Sequence, residues 1–223
     1  MPQTILITGA TAGIGEAIAR LFAQHGYRLI LTGRRQERLN SLKAALDAEV
    51  HTMCFDVRDQ AAVTTAIDAL PEAWQEIDIL VNNAGLAVGK GPLQEGLIDD
   101  WERMIDTNVK GLLYVTRALS PRMIAQRSGH IINIASIAGK EVYPGGNVYC
   151  ASKHAADALS KAMRIDMLPY GIKVTNVAPG LVETEFSIVR FKGDQGMADN
   201  GYFDPIGQHV DAHRFGEGIC RML

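Results

Sequence analysis

Short apolar runs alternate with amphipathic stretches along the chain. Runs of strand character fall at Gln3–Thr8, Arg28–Thr32, Val50–Phe55, Ile77–Val81, His130–Ala135 and Ile172–Val177. They are continuously apolar rather than alternating, as expected of strands buried on both faces. Between them, Ile14, Ile18, Leu21 and Phe22 recur at helical spacing within Gly13–His25. The same spacing predicts helices over Gln36–Asp47 through Leu39, Leu42 and Leu46, and over Asp99–Ile124 through Trp101, Ile105 and Val109. A fourth helix is predicted over Val148–Leu168, with Ala151, Ala155, Leu159 and Met163 on its apolar face. Strand–helix alternation repeated this often predicts an α/β fold, a doubly wound parallel sheet covered by helices on both sides. Ligands of such sheets bind beyond the carboxyl ends of the strands, so the chemistry should sit just after each apolar run.

Composition narrows the classes further. The 223 residues are 47% hydrophobic and 21% charged, with a net charge of −3, which excludes a disordered chain and gives no basic footprint for nucleic acid. No internal repeat or linker divides the sequence, so 1–223 reads as one domain. No apolar run is long enough to span a bilayer. The first strand begins almost at Met1, which predicts no signal peptide and a cytoplasmic location. Cys54, Cys150 and Cys220 are scattered and form no C-x-x-C pair, so neither a disulfide framework nor a thiolate metal site is expected.

The strand ends carry the candidate chemistry. The first run leads into Gly9, Ala10, Thr11, Ala12, Gly13, Ile14 and Gly15. Glycines between a strand and a helix let the backbone approach a pyrophosphate held at the helix N-terminus. The second run ends in Gly33 followed by Arg34 and Arg35, where an NAD site would place a carboxylate. Guanidinium groups pair bidentately with phosphate, so this position predicts the 2′-phosphate of NADP. Asp56, with Val57 after the third run, either accepts a hydrogen bond from an adenine amino group or caps the helix that follows. Asn82, Asn83, Ala84 and Gly85 suit a backbone lying close to a ribose, or an ordinary turn.

Tyr149 and Lys153 are spaced i, i+4, which puts both on one helical face. An ammonium beside a phenol lowers the phenol pKa from about 10 and makes Tyr149 a general acid/base. Ser136 follows the fifth apolar run, where its hydroxyl can polarise a substrate carbonyl. Asn108 sits inside a predicted helix, against propensity, for either a functional reason or a tertiary hydrogen bond.

Together these residues resemble the short-chain dehydrogenase/reductases. The likeness lies in T-G-A-T-A-G-I-G at Thr8–Gly15, N-N-A-G at Asn82–Gly85, Ser136 and Y-C-A-S-K at Tyr149–Lys153. It continues through the P-G pair Pro179-Gly180 and covers Thr4 to about Asp194. The resemblance implies a Rossmann-like fold and a catalytic set of Asn108, Ser136, Tyr149 and Lys153. Asn108 would hold a water that relays protons to Lys153. Tyr149 and Lys153 would also contact the cofactor, as would Pro179, Gly180, Val182 and Thr184, with Thr184 holding the nicotinamide carboxamide. The chain looks most like the branch that oxidises 3-hydroxy acids with NADP, through T-G-R-R-Q-E-R-L at Thr32–Leu39 and T-E-F-S-I-V-R-F-K-G-D at Thr184–Asp194.

That branch implies a small hydroxylated substrate, with 184–223 as the covering segment and tail. Arg190 either contacts a substrate carboxylate or makes a salt bridge or subunit contact; Lys192 is a second cation nearby. The tail departs from the family pattern. It leaves no seventh strand, and Gly216 and Gly218 weaken a last helix over Phe215–Leu223. Homo-oligomers are common in the family, and a dimer or tetramer is expected here. His209 and His213 are spaced for a metal but lack a third ligand, so no metal is expected. Two alternatives stand beside hydroxy-acid oxidation: reduction of broad carbonyl or sulfonated-aldehyde substrates, and a non-catalytic NADP(H)-binding sensor.

Overall fold

The computed structural model describes residues 2–180, 182–193 and 210–221, without the side chains at 183, 187, 188 and 210. Six strands form one sheet: β1 (Thr4–Ile7), β2 (Arg28–Gly33), β3 (Val50–Cys54), β4 (Ile79–Asn82), β5 (Gly129–Ile134) and β6 (Ile172–Val177). All neighbours pair parallel, in the order β3-β2-β1-β4-β5-β6. The order reverses between β1 and β4, which is where a doubly wound sheet opens its ligand crevice.

Successive strand side chains point to opposite faces, and each face has its own core. Ile5, Ile7, Leu29, Leu31, Ile79 and Val81 pack against α1 (Gly13–Gln24), α2 (Gln36–Ala45) and the last helix, Ala212–Cys220. Leu6, Ile30, Leu80 and Ile131 pack on the other side against α3 (Gln60–Asp68), α5 (Leu112–Gln126) and α6 (Asn147–Met167). Both faces of the central strands β1, β2, β4 and β5 are covered, which is why those strands read as apolar runs; the edge strands β3 and β6 expose Cys54 and Lys173.

Four features differ from the sequence reading. The helix expected over Asp99–Ile124 is broken: α4 (Ile98–Ile105) passes into a π turn at Asp106–Gly111 before α5 begins. The face of α6 is also displaced. Ala151 is exposed, and the buried side is Cys150, Ser152, Lys153, Ala156, Asp157, Ser160 and Met163. Apolar spacing misplaced it because much of this face is polar, its groups bonded to neighbouring elements. The third helix, α3, escaped the pattern because only Val63 and Ile67 are buried in it. Its cap is Asp59, which accepts from the Ala62 N–H at 3.0 Å, and not Asp56.

The last helix forms despite Gly216 and Gly218. Asp211 caps it by accepting from the Arg214 N–H at 2.8 Å, and Ile219 is buried in the core beside α1. Among the described residues no seventh strand joins the main sheet; Val182–Glu183 and Val210–Asp211 form a separate parallel pair, β7 and β8. No described helix is long and apolar enough to cross a membrane.

Candidate active site

A cleft of about 500 Å³ opens at the carboxyl ends of the strands. Two loops build its floor and are tied to each other. The Thr8 hydroxyl accepts from the N–H groups of Asn83 and Ala84, at 3.0 and 2.9 Å. The Asn83 side chain donates to the carbonyls of Thr8 and Gly9, at 2.9 and 3.1 Å. Asn83 therefore joins the loop after β4 to the loop after β1 with its amide. Gly15 is required by the same junction, since a Cβ there would lie 2.4 Å from both Asn83 Nδ2 and Gly9 O. Gly9, Thr11, Ala12, Gly13 and Ile14 line the cleft, whereas Ala10 is wholly buried beneath it. Ala12 begins α1 with no side-chain cap, so the first N–H groups of that helix remain for an anion.

At the end of β2, Arg34 and Arg35 line the cleft as the sequence suggests, but the cluster is larger. Arg35 donates to Thr11 Oγ1 at 3.0 Å and to Thr11 O at 3.1 Å. Arg38, one turn along α2, holds the Glu185 carboxylate through Nη1 at 2.8 and 2.9 Å, and Arg35 reaches the same carboxylate at 3.4 Å. Arg38's hydrogen bond is the main reason the Glu185 carboxyl lies below its ordinary pKa. Arg34 instead lies 3.8 Å from Asp56. Asp56 also receives the Arg58 guanidinium at 2.7 Å; burial raises its pKa, but the Arg58 bonds outweigh that and hold it low. Asp56, Val57, Ala84 and Gly85 all border the cleft.

The catalytic candidates converge from three elements. Ser136, buried at the end of β5, accepts from the Ala138 N–H at 3.1 Å through its hydroxyl oxygen. The Ile137 N–H donates to Pro179 O, fixing this loop to the end of β6. Lys140 and Asp157 pair at 2.6 Å and clamp the Ser136 loop to α6. Gly139 makes that approach possible, as a Cβ there would meet Lys153 O at 2.6 Å. Tyr149 lies in the first turn of α6, and Lys153 one turn below it, with Nζ 5.9 Å from the Tyr149 ring centroid. Lys153 is 6% exposed; Nζ donates to Ile134 O at 2.9 Å, and burial pushes its pKa down to about 8.

Asn108 is buried behind these residues and does not border the cleft. Its Oδ1 accepts from the Leu86 N–H at 2.7 Å, and its Nδ2 donates to Leu86 O at 2.8 Å and to Ser152 Oγ at 2.9 Å. The side chain thus supports the loop after β4 in the manner of a neighbouring strand. Both of its N–H donors are committed.

The far wall comes from the covering segment. Pro179, Gly180, Val182 and Thr184 line the cleft; Thr184 packs on Gly13 and accepts from the Phe186 N–H at 3.2 Å. Arg190 ends the short helix α7 (Phe186–Arg190) and donates to the Tyr143 hydroxyl at 2.9 Å. Its guanidinium carbon lies 5.7 Å from the Tyr149 ring centroid, and its buried Nε has no hydrogen-bond partner among the described residues. Lys192 turns away and pairs with the buried Asp100 at 2.8 Å. His213 pairs with Glu217 at 3.7 Å, and His209 lies outside the described residues. No group of three metal-ligating side chains occurs among the described residues.

Sequence reasoning missed Arg38, Glu185, Lys90 and Tyr143. The i, i+3 spacing of Arg35 and Arg38 was a usable signal for the first. The other three reach the site from chain segments that local pattern does not connect. The site suits a phosphorylated dinucleotide: an uncapped helix start faces the cleft, and a carboxylate seated on Arg35 and Arg38 shows that the pair accepts an anion.

A family model described as short chain dehydrogenase matches residues 3–194. The NADP-dependent 3-hydroxy acid dehydrogenase YdfG of Escherichia coli strain K12 is 52% identical over 203 residues, spanning 91% of this chain and 82% of that protein. Sulfoacetaldehyde reductase 2 of Chromohalobacter salexigens is 49% identical over 207 residues, spanning 92% of this chain and 82% of that protein. A solved structure, the closed form of serine dehydrogenase complexed with NADP+, superposes with a TM-score of 0.92 at 47% identity, covering 98% of this chain and 88% of that one. With the residue pattern, the fold and these similarities in agreement, the chain belongs to the short chain dehydrogenase family.

Proposed function

We propose that this protein is an NADP-dependent oxidoreductase that interconverts a small 3-hydroxy acid and its carbonyl form. The observation that carries the reading is the placement, in one cleft, of Tyr149 beside Lys153 with the Arg190 guanidinium 5.7 Å from the Tyr149 ring. A 3-hydroxy acid holds its hydroxyl and its carboxylate a few ångströms apart, so one molecule can meet Tyr149 and Arg190 together. Arg34, Arg35 and Arg38 would take the 2′-phosphate, the start of α1 the pyrophosphate, and Lys153 the nicotinamide ribose.

When bound, the nicotinamide supplies or accepts the hydride. Tyr149 holds the mobile proton: its hydroxyl protonates the carbonyl oxygen in reduction and takes the proton back in oxidation. Ser136, whose oxygen already accepts from Ala138 N–H, turns its own O–H to the same oxygen and stabilises the charge that develops there. The Lys153 ammonium favours the ionised phenol from one turn below. Asn108 fixes Leu86 and the adjacent Gly85, beside which Lys153 Nζ lies.

A sulfonated aldehyde is a second reading, because a guanidinium receives a sulfonate as it does a carboxylate; the similarity to sulfoacetaldehyde reductase 2 favours it. Lys90 on the rim of the cleft would serve either anion. Arg190→Gln is expected to raise KM for the anionic substrate by about tenfold or more, the usual effect of losing a hydrogen bond to a charged group. Turnover of a neutral carbonyl should change little. An unchanged KM for the hydroxy acid would remove Arg190 from the substrate site. The proposal extends to a cytoplasmic homo-oligomer, for which exposed Leu93, Leu97 and Ile98 are candidate apolar contacts.

A further inference from the structure

Glu185 belongs to the covering segment, yet it reaches back to residues 150 and 147 positions earlier in the chain. Both of its carboxylate oxygens accept from Arg38, and one also accepts from Arg35. Those guanidiniums are seated against the Thr11 backbone, at the junction of the glycine loop with the end of β2. A group on the adenosine ribose of a dinucleotide falls at this junction in a doubly wound sheet. A carboxylate presents two oxygens to a guanidinium in the geometry that a phosphate does. Glu185 is thus an anion of the protein itself on the cations that the 2′-phosphate would use.

Resting on the reading of an NADP site, we infer that Glu185 competes with the cofactor's 2′-phosphate for Arg35 and Arg38, and so sets both the affinity for NADP(H) and the margin over NAD(H). The contest is not one-sided. The side chains of Arg35, Arg38 and Glu185 are 43%, 47% and 44% exposed, and ion pairs this open to water are weak. A phosphate monoester brings about two negative charges against one. The phosphate therefore wins, but its net affinity is reduced by the work of displacing the carboxylate. NAD(H) has no such group and leaves the pairs in place. Glu185 is ionised at neutral pH like any glutamate, and Arg38's bond lowers its pKa further, so the competition does not lapse there. Glu185 also stands one residue before α7, which ends in Arg190. Displacement of its carboxylate releases a tether of the segment that covers the substrate.

The test is a binding titration of NADPH and NADH, followed by nicotinamide fluorescence, on wild type, Glu185→Gln, Arg38→Gln and the double variant. Glu185→Gln should bind NADPH about three- to fivefold tighter at low salt, the upper range for removal of an exposed competing ion pair. NADH affinity should stay within about twofold, because no charge on it meets the pair. The NADPH gain should shrink in about 0.5 M salt, where exposed charges are screened. In the Arg38→Gln background the same Glu185 substitution should give much less, since its main partner is gone. NADPH binding that is unchanged or weaker in Glu185→Gln overturns the inference, as does an equal gain for NADH, which would signal a loosened segment instead. Wild-type protein that binds NADH as tightly as NADPH would overturn the underlying cofactor reading, an outcome visible before any variant is made.

Discussion

Lys153 is a charge held where water is excluded. It is 6% exposed, with a carbonyl as its hydrogen-bond partner, and burial brings its pKa to about 8 from 10.5. The native state bears this cost below about pH 8, where folded and unfolded forms both hold the proton. Between about 8 and 10.5 the native form loses the proton first, so the unfolded state binds more protons and stability rises with pH. Lys153→Met removes the buried ammonium but gives up the bond to Ile134 O. It should stabilise the protein at pH 7 by about 1–3 kcal/mol, or about 2–12 °C in Tm for a chain of this size, while turnover is lost. The gap should narrow at pH 10. Scanning calorimetry at the two pH values reads this; a variant less stable than wild type at pH 7 would contradict it. Tyr149 and Lys153 were legible in the sequence because i, i+4 spacing is local. Arg38 was half legible, and its link to Glu185 was not, because that contact closes 147 residues of chain.

At the scale of elements, the π turn at Asp106–Gly111 and the polar face of α6 carry the site, and both were misread. The turn places Asn108 so that its amide pairs with both backbone groups of Leu86. Helical periodicity assumes an unbroken ladder, so a register shift of this kind leaves no mark in apolar spacing. The displaced face of α6 has a related cause: Ser152, Asp157 and Ser160 are buried with their hydrogen bonds made, to Asn108, Lys140 and Asn133 among others. Asn108→Ala would strand the Leu86 N–H and C=O inside the protein. We expect a loss of about 2–4 kcal/mol in denaturant unfolding, the cost of two unpaired buried groups, with turnover falling as the Gly85–Leu86 loop shifts beside Lys153. A stability change below about 1 kcal/mol would show that water or another group satisfies Leu86 in its place.

The whole molecule follows most directly from its pattern. Six apolar runs gave six strands within a residue or two, because the central strands β1, β2, β4 and β5 are covered on both faces, while the edge strands β3 and β6 still bury Val50, Met53, Ile172 and Val174. The parallel order puts β1 and β4 side by side, and their two loops meet through Thr8 and Asn83 to form the floor of the cleft. The phosphate end, the catalytic face of α6 and the covering segment all border that one cleft. The tail was legible only in part: a glycine-containing helix forms there because Asp211 caps it and Ile219 anchors it beside α1.

The central claim is that this cleft passes hydride between NADP(H) and a 3-hydroxy acid, with Tyr149 handling the proton. It is tested most directly by absorbance at the reduced-nicotinamide band, with NADP or NAD and with serine, allo-threonine or 3-hydroxypropionate, for wild type and Tyr149→Phe. The account predicts turnover of at least one of these acids with NADP, little with NAD, and a loss of about 10²- to 10⁴-fold in Tyr149→Phe with NADPH binding retained. Equal turnover with NAD, or a Tyr149→Phe protein as active as wild type, would contradict it.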